Sequence, residues 1–244
     1  MNRQSNLYTV IYASVLVLAV GILLSVVYQG LRPRQLENID NDTRRQILAA
    51  ALIFPSEGQS VADLYAEHIK GAYIVNSNGS RVDDTTDPFK VNVATQVKLP
   101  ADRRLLPVFE CETTAGLKYI IPVYGDGLWG PIWGYVSFDA GSATIYGAYF
   151  GHEGETPGLG AEIEKPAFSS QFEGKSILAP DGQFTSVAVV KAGHEPSSGD
   201  YVHAVSGGTI TSQGVQKMLY NSLEPYRAFF DNIKSSNHDN TPKS

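Results

Sequence analysis

Cysteine is almost absent from this chain, since Cys111 carries the one thiol among 244 residues. A single thiol cannot form an internal disulfide bond, and it cannot hold an iron–sulfur cluster, which needs several cysteine ligands. The stretch Leu105–Cys111 is rich in β-forming residues, so we expect Cys111 to be an inert thiol in a buried core.

Basic charge is also scarce, since 19 basic and 25 acidic side chains give a formal net charge of −6. No basic stripe runs along the sequence, so we expect no nucleic-acid partner. A Gly-x-Ser-x-Gly elbow and a Walker loop are absent, which argues against serine hydrolysis and against phosphate binding by a Walker loop. The Gly-x-Gly-x-x-Gly string at residues 125–130 precedes a predicted strand and not a helix, so we do not interpret it as a Rossmann fingerprint and expect no direct dinucleotide binding. The histidines lack the spacing of a metal site and lie at positions 68, 152, 194, 203 and 238.

One long hydrophobic run is present, because no charged residue occurs between positions 4 and 31. About 20 apolar residues suffice to span a membrane. Tyr8 and Tyr12 at one end and Tyr28 at the other suit the two membrane interfaces. A cleaved signal peptide is the alternative, but the run is longer than the usual apolar core of about 7–15 residues. We expect residues 1–31 to form an uncleaved membrane anchor.

The rest of the chain predicts an α+β fold, with a twisted antiparallel or mixed sheet and helices packed on it. We expect a juxtamembrane helical segment at residues 32–70, an α+β domain at 71–234 and a flexible tail at 235–244. An Asn-Gly turn within Asn76–Ser80 predicts a hairpin. Further strands are predicted at 91–98, 105–112, 118–124, 132–139, 143–150 and 185–191, the last being the final strand. Helices are predicted at 42–52, 61–69, 161–172 and 211–233.

The string Val205–Ser212 is the strongest candidate for a ligand site. Gly207 and Gly208 allow the backbone to approach a ligand, and a helix start behind them offers N–H groups and the positive end of the helix dipole to a phosphate. Thr209 adds a hydroxyl that can accept a phosphoryl group, and Thr211 or Ser212 could cap the helix. The alternative is a glycine turn with a cap and no ligand.

Two further segments carry glycine-rich turns. The first is His152–Gly160, which contains Glu-Thr-Pro-Gly-Leu-Gly and is followed by Lys175. The second is Gly125–Tyr135, in which Trp129 lies either beside a ligand, on a surface that meets a partner, or in the core. Proline and the glycines fix tight loops whose amides could face a ligand.

Together these segments resemble the FMN-binding C subunit of the sodium-translocating NADH:quinone reductase, which is related to the G subunit of the Rnf complex. The string at residues 206–209 resembles the Ser-Gly-Ala-Thr motif in which that family esterifies FMN, through its phosphate, to the threonine. Two positions depart from the pattern, with His203 in place of an aspartate and Gly208 in place of an alanine. The resemblance implies covalent FMN on Thr209, with contacts from Ser206, Gly207, Gly208, Thr156, Gly158, Leu159, Gly160, Lys175 and Trp129.

The resemblance further implies a membrane-anchored flavoprotein that relays electrons within the reductase and has no NADH site of its own. Its expected partners are the other subunits, a flavin transferase and the lipid bilayer. The family places the flavin domain outside the bacterial cytoplasmic membrane, whereas a count of basic residues beside the anchor favours the cytoplasm. Two alternatives stay open: an Rnf component of the G type, or a non-redox assembly or sensor module that has lost its flavin.

Overall fold

A computed structural model describes residues 6–83, 85–191, 193–196 and 198–239, with side chains up to residue 234. The chain divides into two compact units, Met1–Thr43 and Arg44–Ser244. Most of the first unit belongs to helix α1, which runs from Asn6 to Ala50 and crosses the division between the units. The last five residues of the chain lie outside the described residues. The part of the expected tail that is described, residues 235–239, is helical.

Helix α1 has the length and composition of a membrane anchor. Among the described residues it is the one helix that is long and apolar enough to cross a membrane, and its apolar side chains are exposed. The structure thus agrees with the predicted membrane anchor in the length and composition of the helix. We expected a separate helix at residues 42–52. Instead, α1 runs without a break from the apolar stretch, past Pro33, to Ala50, because the residues after Pro33 are mostly good helix formers. Its last turn, with Ile47 and Leu48, is buried in the second unit.

A six-stranded antiparallel sheet forms the centre of the second unit, in the order β2-β1-β3-β4-β5-β6. Consecutive strands from β3 onward are joined as hairpins, which suits an antiparallel sheet. The predicted hairpin at Asn76–Ser80 is confirmed, and Gly79 in its turn has φ +73°. The strands are β1 Ile69–Val75, β2 Arg81–Val82, β3 Leu106–Thr113, β4 Gly116–Asp126, β5 Pro131–Asp139 and β6 Ile145–His152.

Helices cover the sheet and leave a core on each face. One core joins Met218 and Leu219 to the sheet, and the other joins Ile47 to Phe109 and Cys111. Cys111 is fully buried, as expected, and burial raises the pKa of its thiol to about 11. The remaining helices are α2 Val61–His68, α3 Val93–Gln96, α4 Pro166–Ser169, α5 Thr209–Leu223 and α6 Arg227–Asp239.

The strand predicted at residues 91–98 is wrong. This stretch forms the short helix α3, whose N-cap Asn92 accepts a hydrogen bond from the backbone N–H of Thr95 at 3.2 Å. Alternation of apolar and polar residues over so short a stretch is a weak signal, and local capping by asparagine outweighs it.

The chain also forms one strand more than expected after the sheet. Strand β7, Ala188–Val190, pairs in parallel with β8, Tyr201–His203, so 185–191 is not the last strand. The helix predicted at 211–233 begins two residues earlier and is divided by a 3-10 turn at Glu224–Tyr226, because Pro225 cannot continue the α-helical hydrogen bonds. The α+β class and the antiparallel sheet are confirmed.

Candidate functional site

The loop between β4 and β5, here called the Trp129 turn (residues 127–130), presents two apolar side chains to solvent. The N–H of Gly127 donates to the carbonyl of Gly130 at 2.8 Å and closes the turn. Trp129 is 70% exposed and Leu128 is 45% exposed. Since no core surrounds the indole, the interpretation of Trp129 as a core residue is excluded.

The loop after β6, residues 155–160, is closed by its own hydrogen bonds. The N–H groups of Leu159 and Ala161 both donate to the carbonyl of Thr156 at 3.1 Å. The N–H of Gly158 donates to Glu162 Oε1 at 3.1 Å. The amides of residues 158 and 159 therefore already have partners, in the loop itself and in the turn that follows it, so this loop offers a ligand its exposed side chains, Thr156 and Leu159, more than its backbone.

The candidate attachment residue is the first residue of α5. Gly207 has φ +74°, which turns the chain into the helix, and Gly208 is the N-cap. No side chain caps this helix start, because glycine has none to offer. Thr209 is partly exposed and Ser206 is exposed. Since the first N–H groups of a helix have no partner within it, Thr209 combines a reachable hydroxyl with nearby free donors.

The 155–160 loop and the start of α5 lie against each other. A Cβ at position 207 would lie 2.5 Å from Leu159 Cδ2, and one at position 208 would lie 3.2 Å from the Leu159 carbonyl oxygen. The two glycines therefore make room for the loop as well as for a turn. The structure brings the predicted residues Leu159, Gly207, Gly208 and Thr209 into one place.

Thr211 and Ser212 do not cap α5, contrary to expectation, because they already lie inside its first turn. The hydroxyl of Ser212 accepts a hydrogen bond from the N–H of Val205 at 3.0 Å and so holds the preceding loop. The buried hydroxyl of Thr211 donates instead to the carboxylate of Glu155. Both hydroxyls fix the backbone around Thr209, and neither is available to a ligand.

Glu155 is the functional candidate that the sequence did not reveal. It is 4% exposed, and Oε1 accepts the N–H of Trp129 at 2.8 Å. Burial raises the pKa of this carboxyl, but the hydrogen bonds from Thr211 and from the N–H groups of Trp129 and Leu128 outweigh burial and hold the pKa below its usual range. An ionised carboxylate therefore lies between the Trp129 turn and α5.

Gly160 is part of the same arrangement. It is buried, and a Cβ there would collide with Glu155 Oε2 and Thr211 Oγ1. Gly160 is therefore needed for the packing of Glu155 against Thr211, in addition to the ligand contact expected from the sequence.

Four exposed apolar side chains surround this region, and we call them the apolar rim: Leu128, Trp129, Leu159 and Ile210. They come from three segments that the contacts above bring together. Beside the rim, a cleft of about 450 Å³ runs between α5 and the end of β4, and Ile210 and Gly127 line it together with Lys98 and Lys217. Groups of His, Cys, Asp or Glu able to hold a metal ion are absent from the described part of the chain.

The contacts of Lys175 lie outside these loops. Its N–H donates to the carbonyl of Phe172 at 3.1 Å, and its ammonium lies 5.9 Å from the centre of the Tyr201 ring. Neither neighbour belongs to the 155–160 loop or to the start of α5. The structure therefore gives no contact that ties Lys175 to the other candidate residues.

His203, which stands where the motif has an acidic residue, ends strand β8. Its N–H donates to Gln171 Oε1 at 2.9 Å, and its carbonyl accepts from Gln171 Nε2 at 3.4 Å. The side chain is exposed, with the Tyr201 ring 5.8 Å away. A second protein could therefore reach the side chain at position 203.

Comparison with known proteins identifies the family. A family model described as an FMN-binding domain matches residues 127–224, from the Trp129 turn to the end of α5. The C subunit of the Na(+)-translocating NADH-quinone reductase of Vibrio anguillarum is 31% identical over 230 residues, which cover 88% of this chain and 89% of the relative. Its counterpart in Pseudomonas aeruginosa is 30% identical over 257 residues, which cover 96% and 98%.

The chain belongs to the family of the C subunit of the Na(+)-translocating NADH-quinone reductase. Solved structures agree with this. The C subunit from Parabacteroides distasonis superposes with a TM-score of 0.75 at 48% identity and covers 82% of this chain and 96% of its own. NqrC from Shewanella oneidensis gives a TM-score of 0.67 at 27% identity, with 80% and 98% covered. The resemblance on which the sequence interpretation rested is confirmed, and the chain is an NqrC-type protein with an FMN-binding domain.

The residues at the start of α5 fit the phosphate end of FMN. The helix start carries no side-chain cap, and a partly exposed hydroxyl lies at its first residue. Free backbone N–H groups and the positive end of a helix dipole are what a phosphate prefers in proteins. The apolar rim next to it offers a surface of the kind that an aromatic ring system covers.

Proposed function

We propose that this NqrC-type protein carries FMN on Thr209, bound as a phosphoester, and passes electrons between neighbouring subunits of a sodium-translocating NADH:quinone reductase. The observation that carries the proposal is the uncapped start of α5, where a partly exposed threonine follows two residues without a Cβ. The isoalloxazine ring supplies the redox chemistry when FMN is bound, and the protein contributes attachment, orientation and electrostatics.

The helix start contributes to holding the phosphate. A phosphodiester at Thr209 keeps one negative charge, which the N-terminus of α5 favours by about 0.3–1 kcal/mol. Ser206 lies exposed three residues earlier and can add a hydroxyl donor. The absence of a side chain at Gly207 and Gly208 lets the ligand approach the backbone.

The apolar rim contributes the surface for the ring. Leu159 packs over Gly207, directly beside the attachment residue, and Trp129 presents an exposed indole from the neighbouring turn. An indole favours an offset-stacked or edge contact with another aromatic system, worth about 0.5–1.5 kcal/mol beyond the area that it buries. Electron transfer needs no acid or base from the protein, so the site requires position and environment more than a catalytic side chain.

Attachment requires an activated flavin donor and a transferase. The Thr209 hydroxyl loses its proton and forms a bond to the FMN phosphorus, while the pyrophosphate bond of a flavin dinucleotide breaks and a nucleoside monophosphate leaves. The protein gains the mass of FMN less one water. His203 stands where the motif has an acidic residue, and its side chain is exposed. The transferase would therefore contact the side chain at this position.

The proposed setting is a bacterial cytoplasmic membrane, with α1 as a single-pass anchor and the flavin domain on the extracytoplasmic side. Covalent attachment suits such a site, because free FMN would diffuse away. Electrons arrive from and leave to cofactors in other subunits. The Gly-x-Gly-x-x-Gly string at residues 125–130 joins two antiparallel strands and opens no helix, so it lacks the context of a dinucleotide-binding fingerprint.

The attachment site is tested with three variants made alongside a flavin transferase. Thr209→Val removes the hydroxyl at nearly constant size, Thr209→Ser keeps it, and Ser206→Ala removes the neighbouring hydroxyl. We expect flavin fluorescence in a denaturing gel for the wild type, Thr209→Ser and Ser206→Ala, and none for Thr209→Val. Retention of covalent flavin by Thr209→Val would falsify the assignment.

The relay is tested in the assembled reductase. With Thr209→Val in place, we expect the complex to form, to oxidise NADH with an artificial acceptor, and to lose quinone reduction. Unchanged quinone reduction would mean that no electrons pass through this protein, and the non-redox module would then be the better description.

A further inference from the structure

The carboxylate of Glu155 connects the parts of the proposed flavin site that are distant in sequence. Oε1 accepts the N–H of Trp129 at 2.8 Å, and Oε2 accepts the hydroxyl of Thr211, which lies 56 residues further along the chain. Glu155 itself begins the 155–160 loop. One side chain thus contacts the Trp129 turn and the first turn of α5 from the loop that carries Leu159.

The surroundings of this carboxylate leave it little freedom to move. A Cβ at Gly127 would lie 2.5 Å from Oε1, and a Cβ at Gly160 would collide with Oε2. Glu155 is 4% exposed and Thr211 is 1% exposed. Because both of these partners are buried and two glycines enclose the carboxylate, water cannot easily replace the hydrogen bond between Thr211 and Glu155.

The exposed Trp129 side chain depends on this connection. Trp129 is 70% exposed, so side-chain packing contributes little to its position. The turn is held by its own hydrogen bond from Gly127 to Gly130 and by the bond from the Trp129 N–H to Glu155. On the other side, Thr211 lies two residues after Thr209 within the same helical turn, so fixing Thr211 fixes the backbone that carries the attachment hydroxyl.

We propose that Glu155 is the positioning residue of the flavin site, whose carboxylate couples the Trp129 turn to the first turn of α5 and so fixes Thr209 relative to the exposed indole. This inference rests on the proposed attachment of FMN to Thr209. Glu155 does not touch the reacting hydroxyl, and it acts through Thr211 and through the backbone of Trp129.

The coupling is tested first without flavin, by hydrogen exchange on the full chain in detergent made without a transferase. The variants are Glu155→Gln, Thr211→Val and Thr211→Ser, which alter the carboxylate, remove the hydroxyl and keep it, respectively. Glu173→Gln is the matched control, because Glu173 is an exposed glutamate outside the segments that Glu155 connects. The peptides to follow span residues 125–131 and 205–213, with β6 as internal reference.

We expect Thr211→Val and Glu155→Gln to accelerate exchange at least about tenfold in both peptides, since a buried hydrogen bond to a charged group is lost. Thr211→Ser and Glu173→Gln should resemble the wild type, and β6 should not change. Acceleration confined to the peptide nearer the substitution, or equal acceleration in β6, contradicts the proposal. If Glu155→Gln does not fold, the comparison of exchange rates between Thr211→Val and Thr211→Ser tests the proposal by itself.

A second measurement adds the transferase and follows the rate of flavin attachment by intact mass. We expect at least about a tenfold decrease for Thr211→Val and recovery with Thr211→Ser. Equal rates for the two variants contradict the positioning role. If the wild type acquires no flavin, the proposed function fails, whereas the exchange experiment still tests the coupling between the two segments.

Discussion

Leu159 occupies the space next to Gly207, so that a Cβ at position 207 would lie 2.5 Å from Leu159 Cδ2. The two residues come from different segments of the proposed flavin site. Leu159 is 44% exposed, and its methyl group is the end of a flexible side chain, so it can move aside. A side chain at position 207 should therefore displace Leu159 more than it disturbs the fold.

Gly207→Ala should lower the free energy of unfolding by about 1–2 kcal/mol, because alanine is strained at the φ of +74° found there. It should also slow flavin attachment or shift the flavin absorption spectrum, since Leu159 loses its place. Thermal unfolding and absorption spectra of the transferase-treated protein measure the two effects.

Gly182→Ala is the matched control for this substitution. Gly182 has φ +83° and open space around its Cβ position, so it carries the same strain without the Leu159 contact. We expect a similar loss of stability and an unchanged flavin spectrum. Equal spectral changes in the two variants would show that backbone strain, and not Leu159, is responsible.

The ionised Glu155 should make stability depend on pH in the acid range. Burial raises the pKa of this carboxyl, but its hydrogen bonds lower the pKa by more than burial raises it. The pKa in the folded state is therefore below the value in the unfolded state. Its contribution to stability is then present above the ordinary glutamate pKa of about 4.3 and is lost as the pH falls through the folded pKa. The midpoint of urea unfolding should therefore fall more steeply below pH about 4 in the wild type than in Glu155→Gln. Identical slopes would mean that this carboxyl does not titrate below its usual range.

The strands of the sheet could be predicted because their signals are local. The Asn-Gly turn predicts the hairpin between β1 and β2, and runs of β-forming residues between turns predict β3 to β6. Strand β8 has only three residues and carries no such local signal. It forms because it pairs in parallel with β7, which lies about ten residues earlier in the chain. Helix α3 replaced a predicted strand because Asn92 caps it locally.

The candidate site was only partly predictable for the same reason. The glycines at 207 and 208 and the hydroxyl at 209 are visible in sequence, and the structure places them at a helix start. The roles of Glu155 and Thr211 depend on a contact across 56 residues, which no local pattern shows. An acidic residue in a turn is usually solvated, so its burial at 4% exposure could not be predicted.

The exposed indole of Trp129 should matter for the flavin and little for the fold. Trp129→Ala should change the free energy of unfolding by less than about 0.5 kcal/mol, because the residue is 70% exposed. It should alter the visible spectrum of the attached flavin. Trp133→Phe serves as the comparison, since Trp133 is partly buried and its indole N–H donates to Gln46 at 3.1 Å. If Trp129→Ala leaves the spectrum unchanged, the indole does not contact the ring.

His203→Asp should increase the rate of flavin attachment severalfold, since it restores the acidic residue of the family motif at an exposed position. Stability should change by less than about 0.5 kcal/mol, because the backbone hydrogen bonds to Gln171 do not involve the side chain. His203→Asn controls for size without adding charge. The rate is measured by intact mass during incubation with the transferase, and equal rates for all three proteins would mean that position 203 is not recognised.

The first experiment is a peptide map by mass spectrometry of the wild-type chain produced together with a flavin transferase. We predict an added mass of FMN less one water on the peptide that contains Thr209, located at that residue by fragmentation. A peptide of unmodified mass, with FMN absent or attached elsewhere, would contradict the assignment of Thr209 and favour a protein that has lost its covalent flavin.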